Sequence, residues 1–283
     1  MTETGLARQE ELPRLRELWQ LAFGDEEALI DGFFARWGGP DRLLTLREGG
    51  VAMSMLALLP MEAVTASGQR AALPYVYALA TDPAQRGKGY AKKLLDYAAD
   101  RARDMGAAGI CTVPAQPSLH KFFASAGYGE CFATRRWIAA MDPSAAAGEA
   151  ANLGAAEYAR LRETLLKGVP HGAWDGELTA IQESFSQSSG GGLYRLTLAE
   201  GPGCAAVERH GGMAVAKELL CPAGTLPQAA ALLARQLGIG NWELRGPAAM
   251  EMGEDWRFGM AIWFDKEMGA AFGERAYLGL AFD

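Results

Sequence analysis

The residues best placed to do chemistry form one stretch, Asp82-Pro83-Ala84-Gln85-Arg86-Gly87-Lys88-Gly89-Tyr90-Ala91. Gly87 and Gly89 carry no Cβ, so an anion can approach the backbone closely there. A helix beginning beyond them turns free N–H groups and the positive end of its dipole toward that anion. Arg86 and Lys88 add mobile positive charge. The chemistry this spacing supports is the cradling of a pyrophosphate. Two other nucleotide motifs do not fit. A Walker A loop needs Gly-Lys-Ser/Thr, and Gly87-Lys88 is followed by Gly89. A dinucleotide fingerprint needs a third glycine where Lys92 stands.

The neighbouring pattern supplies elements to position such a cradle. Leu73 to Thr81 is continuously apolar and reads as a central strand covered on both faces. Lys88 to Met105 has a helical period, with Ala91, Leu94, Leu95, Ala98, Ala102 and Met105 on one side. Gly109 to Val113 reads as a strand, Pro117 to Ala126 as a short helix, and Cys131 to Ala140 as a strand. Upstream, helices are predicted over Leu12–Phe23 and Glu26–Trp37, the second ended by Gly38-Gly39-Pro40. Trp19, Phe23, Phe33, Phe34 and Trp37 fall at helical spacing and read as core or lid. Arg42–Arg47 and Val51–Val64, the latter bent at Pro60, read as strands.

Asp142 to Gly148 is rich in small residues and reads as a linker. Beyond it a helix is expected from Ala155 to Leu166, a flexible loop over Ser186–Gly192, and strands at Leu193–Leu198, Cys204–Glu208 and Met213–Leu220. A helix follows from Leu226 to Leu237, capped by Thr225, then strands at Asn241–Arg245, Gly259–Phe264 and Ala276–Phe282. The halves echo each other. Strand Val76–Thr81 runs into Asp82-Pro83 and strand Val215–Leu220 into Cys221-Pro222, with the prolines 139 residues apart. The second copy has Ala223-Gly224-Thr225-Leu226-Pro227 where the first has its glycine turn, and Pro227 offers no N–H to an anion. Glu218 is a carboxylate inside an apolar strand, a placement that needs a partner. Lys217 and Arg245 are candidates for that partner, and a cationic amine substrate is another.

A chain of 283 residues with net charge -7 and 22% charged residues is expected to be globular and to avoid nucleic acid. The cysteines, Cys111, Cys131, Cys204 and Cys221, and the histidines, His120, His171 and His210, are too scattered to suggest disulfides or a metal site. No signal-type or membrane-spanning run is visible, so a cytoplasmic location without membrane attachment is expected.

Arg86-Gly87-Lys88-Gly89-Tyr90-Ala91, with Asp82-Pro83 before it and Gly127-Tyr128 after it, resembles the signature of the GNAT superfamily of acyl-CoA-dependent N-acetyltransferases over roughly residues 6 to 140. The tandem layout is similar to bacterial acetyltransferases that modify aminoglycosides and other polyamines. The resemblance implies an α/β fold with a mixed twisted GNAT-type sheet, duplicated as an acetyl-CoA-binding domain at 1–141 and a degenerate GNAT-like domain at 142–283. It implies acetyl-CoA as cosubstrate, its pyrophosphate on the amides of Gly87 to Ala91 and its pantetheine arm along Leu79, Ala80 and Thr81. A backbone N–H near Leu79 or Ala80 would polarise the thioester.

The implied reaction is acetyl transfer to a primary amine of a small molecule by direct attack, which requires a base for the amine proton and an acid for the thiolate. The family's usual acid is a tyrosine four residues before the Gly of the Gly-Tyr pair, where this chain has Phe123. Candidate bases are Glu62, late on the long strand, His120, one helical turn before Phe123, and Glu218 of the second half. Phe123 keeps a second expectation open, an acyl-CoA-binding sensor or interaction protein with little transferase activity. A longer acyl-CoA donor and a homodimer are both compatible with the sequence.

Overall fold

The computed structural model describes every residue except 38, 40, 143, 145, 146, 251 and 283. Parts of the expected helix stop at 38–40 and linker at 142–148, and the terminal Asp283, therefore lie outside the described residues. In chain order the strands and helices are β1 Thr2–Leu6, α1 Leu12–Phe23, α2 Glu27–Trp37, β2 Leu43–Glu48, β3 Val51–Leu59, β4 Glu62–Val64, β5 Arg70–Ala72, β6 Tyr75–Thr81, α3 Tyr90–Asp104, β7 Gly109–Thr112 and α4 Pro117–Ser125. There follow β8 Gly129–Ala140, β9 Glu149–Asn152, α5 Ala155–Leu165, β10 His171–Ala173, α6 Gly176–Ser188, β11 Gly192–Leu198, β12 Gly201–His210, β13 Met213–Leu220, α7 Leu226–Leu237, β14 Asn241–Gly246, β15 Glu254–Trp263 and α8 Lys266–Phe272. No helix among the described residues is long and apolar enough to cross a membrane.

The chain forms two compact units that are interleaved in sequence. The first holds Met1–Glu62, Ala71–Gly129 and Met260–Gly269, and the second holds Ala63–Arg70, Glu130–Gly259 and Ala270–Asp283. In the first unit the sheet order is β1-β2-β3-β6-β7-β15. The last strand arrives from the far end of the chain, with Met260 to Trp263 pairing antiparallel with Thr112 to Gly109. In the second unit the order is β8-β14-β13-β12-β11-β9. Its outer strand β8 precedes residue 142, and Arg135 to Ala140 pair antiparallel with Gly246 to Asn241. Each unit therefore completes its sheet with a strand that a single cut near 141 would assign to the other half.

The cores follow from the apolar periodicity. In the first unit Leu94, Leu95, Ala98 and Ala102 of α3 pack on Leu44, Leu46, Leu56 and Val76. On the opposite face Leu15, Leu18 and Trp19 of α1 and Phe33, Phe34 and Trp37 of α2 are buried, while Phe23, at 43% exposure, is not. In the second unit Ala229, Leu232 and Leu233 of α7 pack on Leu196, Val207, Ala216 and Trp242.

Three expectations change. Ser186–Gly192 is not wholly a loop, because α6 runs to Ser188, started by the Asp175 carboxylate accepting from the Leu178 N–H at 2.7 Å. Ala276–Phe282 makes two isolated bridges, Phe132↔Ala276 and His171↔Tyr277, rather than a strand. Thr225 precedes α7, but its hydroxyl donates back to the Pro222 carbonyl at 2.8 Å instead of capping the helix.

Candidate active site

The site is built at the C-terminal end of β6. Tyr75 and Val76 pair in parallel with Cys111 and Thr112 of β7, and no further rung follows. Thr112 Oγ1 donates to the Val76 carbonyl at 3.1 Å, closing the last rung. From Tyr77 to Thr81, β6 keeps β3 on one side and opens away from β7 on the other. A bulge falls within this opening. Met55 pairs with Ala80 and Ala57 with Tyr77, so Ala78 and Leu79 together face Leu56. Ala78 takes φ +50, a left-handed conformation costing an alanine roughly 1 kcal/mol. Ser54 Oγ donates to the Ala80 carbonyl at 2.7 Å, and its hydroxyl lies 2.9 Å from Thr81 Oγ1, fixing the far side of the bulge.

The glycine turn follows directly. Asp82 accepts from the Ala84 N–H at 2.8 Å and is gripped by the Arg14 guanidinium of α1. The Ala84 N–H, and after it Arg14, hold the Asp82 carboxyl below its ordinary range. Gly87 and Gly89 have φ +84 and +77, and a Cβ built on either meets nothing within 4 Å. Glycine is thus required by conformation, and the space beside the turn is open. Gly89 is the N-cap of α3 and receives no side-chain cap. The first helical bond runs from the Lys93 N–H to the Gly89 carbonyl at 3.1 Å. The N–H groups of Tyr90, Ala91 and Lys92 therefore have no partner within the helix. Arg86 and Lys88 are exposed. Lys88 reaches Gln85 at 2.5 Å and Glu48 at 3.8 Å. Tyr90 is buried, and a hydrogen bond from its hydroxyl holds the Glu48 carboxyl low. Open glycines, uncapped N–H groups and cationic side chains fit a pyrophosphate.

The expected catalytic residues are divided between the two units. Glu62 and His120 belong to the first unit and Glu218 to the second. Glu62 is exposed at the start of β4, and His120 is half-buried on α4. Phe123 is 4% exposed and packs edge-on against Phe122 and Tyr128, at centroid distances of 5.2 and 5.6 Å. Glu218 is fully buried. Arg162 Nε donates to both of its oxygens at 3.0 Å, and the Tyr158 hydroxyl to one at 2.9 Å. A carboxylate so occupied, and closed off from solvent, is not available to an incoming amine.

The second unit repeats the backbone pattern without the cradle. Val207 pairs with Ala216 and Ala206 with Glu218, leaving Lys217 as the extra residue of a bulge. Lys217 lies 139 residues after Ala78, the same offset that relates Pro222 to Pro83. β13 and β14 pair in parallel only from Met213↔Asn241 to Ala216↔Leu244, so this pair also opens beyond its bulge. The bulge of β6 carried no visible sequence signal, since Ala78 stands where glycine would have announced a positive φ.

A bulged central strand thus opens beside an uncapped helix N-terminus. Residues 4–131 match the family model described as acetyltransferase (GNAT) domain. No curated protein matches the sequence. Among solved structures, a conserved protein of unknown function from Enterococcus faecalis V583, described as a probable N-acyltransferase, aligns with TM-score 0.73 at 13% identity, over 95% of this chain and 74% of that one. A GCN5-related N-acetyltransferase from Kribbella flavida aligns with TM-score 0.71 at 13% identity, over 95% and 73%. A tandem GNAT protein from the clavulanic acid biosynthesis pathway aligns with TM-score 0.53 at 14% identity, over 93% and 98%. At these identities the likeness is one of fold: a GNAT-type α/β architecture present in tandem.

Proposed function

We propose that the protein transfers an acetyl group from acetyl-CoA to a primary amine of a small molecule. The observation that carries this reading is the junction of three features within fifteen residues: the bulge at Ala78–Leu79, the opening beyond Val76, and the glycine turn at the start of α3. Backbone N–H groups from Gly87 to Ala91 would hold the pyrophosphate, with Arg86 and Lys88 screening its charge. The open edge of β6 at Leu79, Ala80 and Thr81 would pair with the amide groups of the pantetheine arm. An N–H at the bulge would polarise the thioester carbonyl, a large term in acyl transfer. The neutral amine then attacks the carbonyl carbon, the C–N bond forms and the C–S bond breaks. The amine proton passes to a base and the thiolate takes a proton from an acid. Glu62 and His120 remain candidates for the base, through ordered water. Phe123 can do neither, so the thiolate would be protonated by solvent or another hydroxyl.

The proposed test is acetyl-CoA binding by calorimetry in Gly87→Pro and Gly89→Asp variants. Both are expected to lose binding while keeping the thermal unfolding midpoint close to that of the parent. Unchanged affinity would remove the cradle from this turn. A second reading, an acyl-CoA sensor without transfer, is favoured by the burial of Phe123 where the acid is expected. Release of CoA thiol on adding amines separates the two, since a sensor would bind acetyl-CoA and release none.

A further inference from the structure

We propose that Tyr77 selects the acceptor, and that the acceptor is a primary amine carried on an apolar or aromatic body. This inference rests on the acetyl-transfer reading above. The starting point is which face of β6 the amine must use. α3, whose N-terminus would hold the pyrophosphate, packs on the face of the sheet that carries Val76 and Leu79. A carrier anchored there enters the opening from that side. The amine must then meet the thioester from the opposite face, the one covered by α1 and α2.

Side chains alternate along a strand, so Tyr75 and Tyr77 point to that opposite face. They stack at 6.1 Å with 25° between their planes. Tyr77 also packs on Trp19 of α1 and Phe33 of α2, both at 5.6 Å. Trp19, Phe33 and Tyr75 are closed off from solvent, whereas Tyr77 is only partly buried. Its ring is therefore held by its neighbours, directly before the bulged Ala78, and the residue keeps some exposure. It is the aromatic surface beside the place where the acyl carbon would sit.

Three carboxylates of α1, α2 and the turn between them are engaged elsewhere. Asp25 accepts from Trp19 Nε1 at 2.7 Å, Glu17 from Arg14 at 2.7 Å, and Asp31 pairs with Arg16 at 3.3 Å. A polycation needs several unengaged carboxylates, while an apolar amine needs a ring to lie against. Apolar surroundings also favour the neutral amine, the form that attacks.

The test is steady-state CoA thiol release with phenethylamine and tryptamine against spermidine and kanamycin, alongside acetyl-CoA binding by calorimetry. Phenethylamine is expected to exceed spermidine in kcat/KM by about tenfold or more. Tyr77→Leu and Tyr77→Ala are expected to erode that preference by about tenfold, chiefly through KM, with acetyl-CoA affinity unchanged. Tyr77→Phe is expected to retain it. Equal or better use of spermidine or kanamycin would overturn the proposal while leaving acetyl transfer standing, as would a preference that survives in Tyr77→Leu. Acetyl-CoA binding without thiol release from any of the amines would overturn both, and so would the absence of acetyl-CoA binding.

Discussion

At the scale of single residues, two side chains carry the sharpest expectations. Phe123 lies in the apolar cluster under α3, in ring contact with Phe122 and Tyr128. Phe123→Tyr places a hydroxyl there at a cost of about 1 kcal/mol unless it finds a partner. If protonation of the thiolate limits turnover, kcat rises in this variant with acetyl-CoA affinity unchanged. A kcat that stays the same means that the proton step is served elsewhere or is not limiting. The second side chain is Arg47, 2% exposed, which grips Glu11 through Nε at 2.5 Å and through its terminal nitrogen at 2.6 Å. Burial pushes the Glu11 carboxyl up, but the hydrogen bonds from Arg47 and from the Arg8 N–H outweigh it and hold the group below its ordinary value. A lowered carboxyl contributes stability above its unfolded value and loses it as pH falls through the folded one. Arg47→Met is therefore expected to destabilise by about 3 kcal/mol at neutral pH. Its deficit against the parent should shrink as the pH is taken below the ordinary glutamate range, which a denaturant series at several pH values would read.

Among the elements, the loop and strand around Glu218 show how a retained backbone pattern can be filled from within. Arg162 of α5 binds Glu218 of β13 and also donates to the Gly172 carbonyl at 2.8 Å and the Leu278 carbonyl at 2.7 Å. The segment from Tyr277 to Phe282 is thereby tied to the bulged strand. Gly279, at φ +74, lies so close that a Cβ there would sit 2.1 Å from the Glu218 carboxylate. Arg162→Met, which strands a buried carboxylate, is expected to cost about 3 to 5 kcal/mol. The double variant with Glu218→Leu should recover most of that loss in chemical denaturation, and Gly279→Ala should destabilise on its own. Elements of this kind were legible in the sequence where periodicity and breakers agreed. α7 is bounded by Pro227 near its start and Gly238 at its end, and α3 by Gly89 and Gly106, and both stand close to where the pattern puts them. α6 was not legible, because Gln182 and Ser186 lie buried on a face that polarity assigns to solvent. Nor was the partner of Glu218, since Arg162 is 56 residues away and on a helix whose charged residues read as exposed. The turn at Gly87 and Gly89 was legible because glycine is the only residue that takes its backbone angles without cost. The bulge beside it was not, because an alanine bears the strain.

For the molecule as a whole, the tandem repeat was readable from the 139-residue offset, and the interleaving of the units was not. Met260 to Trp263 are apolar in any arrangement, and only the pairing with β7 reveals which unit they complete. A fragment ending at residue 141 would leave β7 without that neighbour. It is expected to lack a cooperative thermal transition and to aggregate, whereas the full chain unfolds cooperatively. Circular dichroism and light scattering on the two would decide. The returning strand also bears on how the protein is made. β7 ends at Thr112 and its pairing segment begins at Met260, so the first unit cannot close its sheet until the chain has emerged as far as Trp263. At typical elongation rates of roughly 5–20 residues per second, that leaves an unpaired strand edge waiting for about ten seconds or more. The glycine turn could form early, but the sheet beside it would close later, which makes translation speed and chaperone cover during synthesis a determinant of yield.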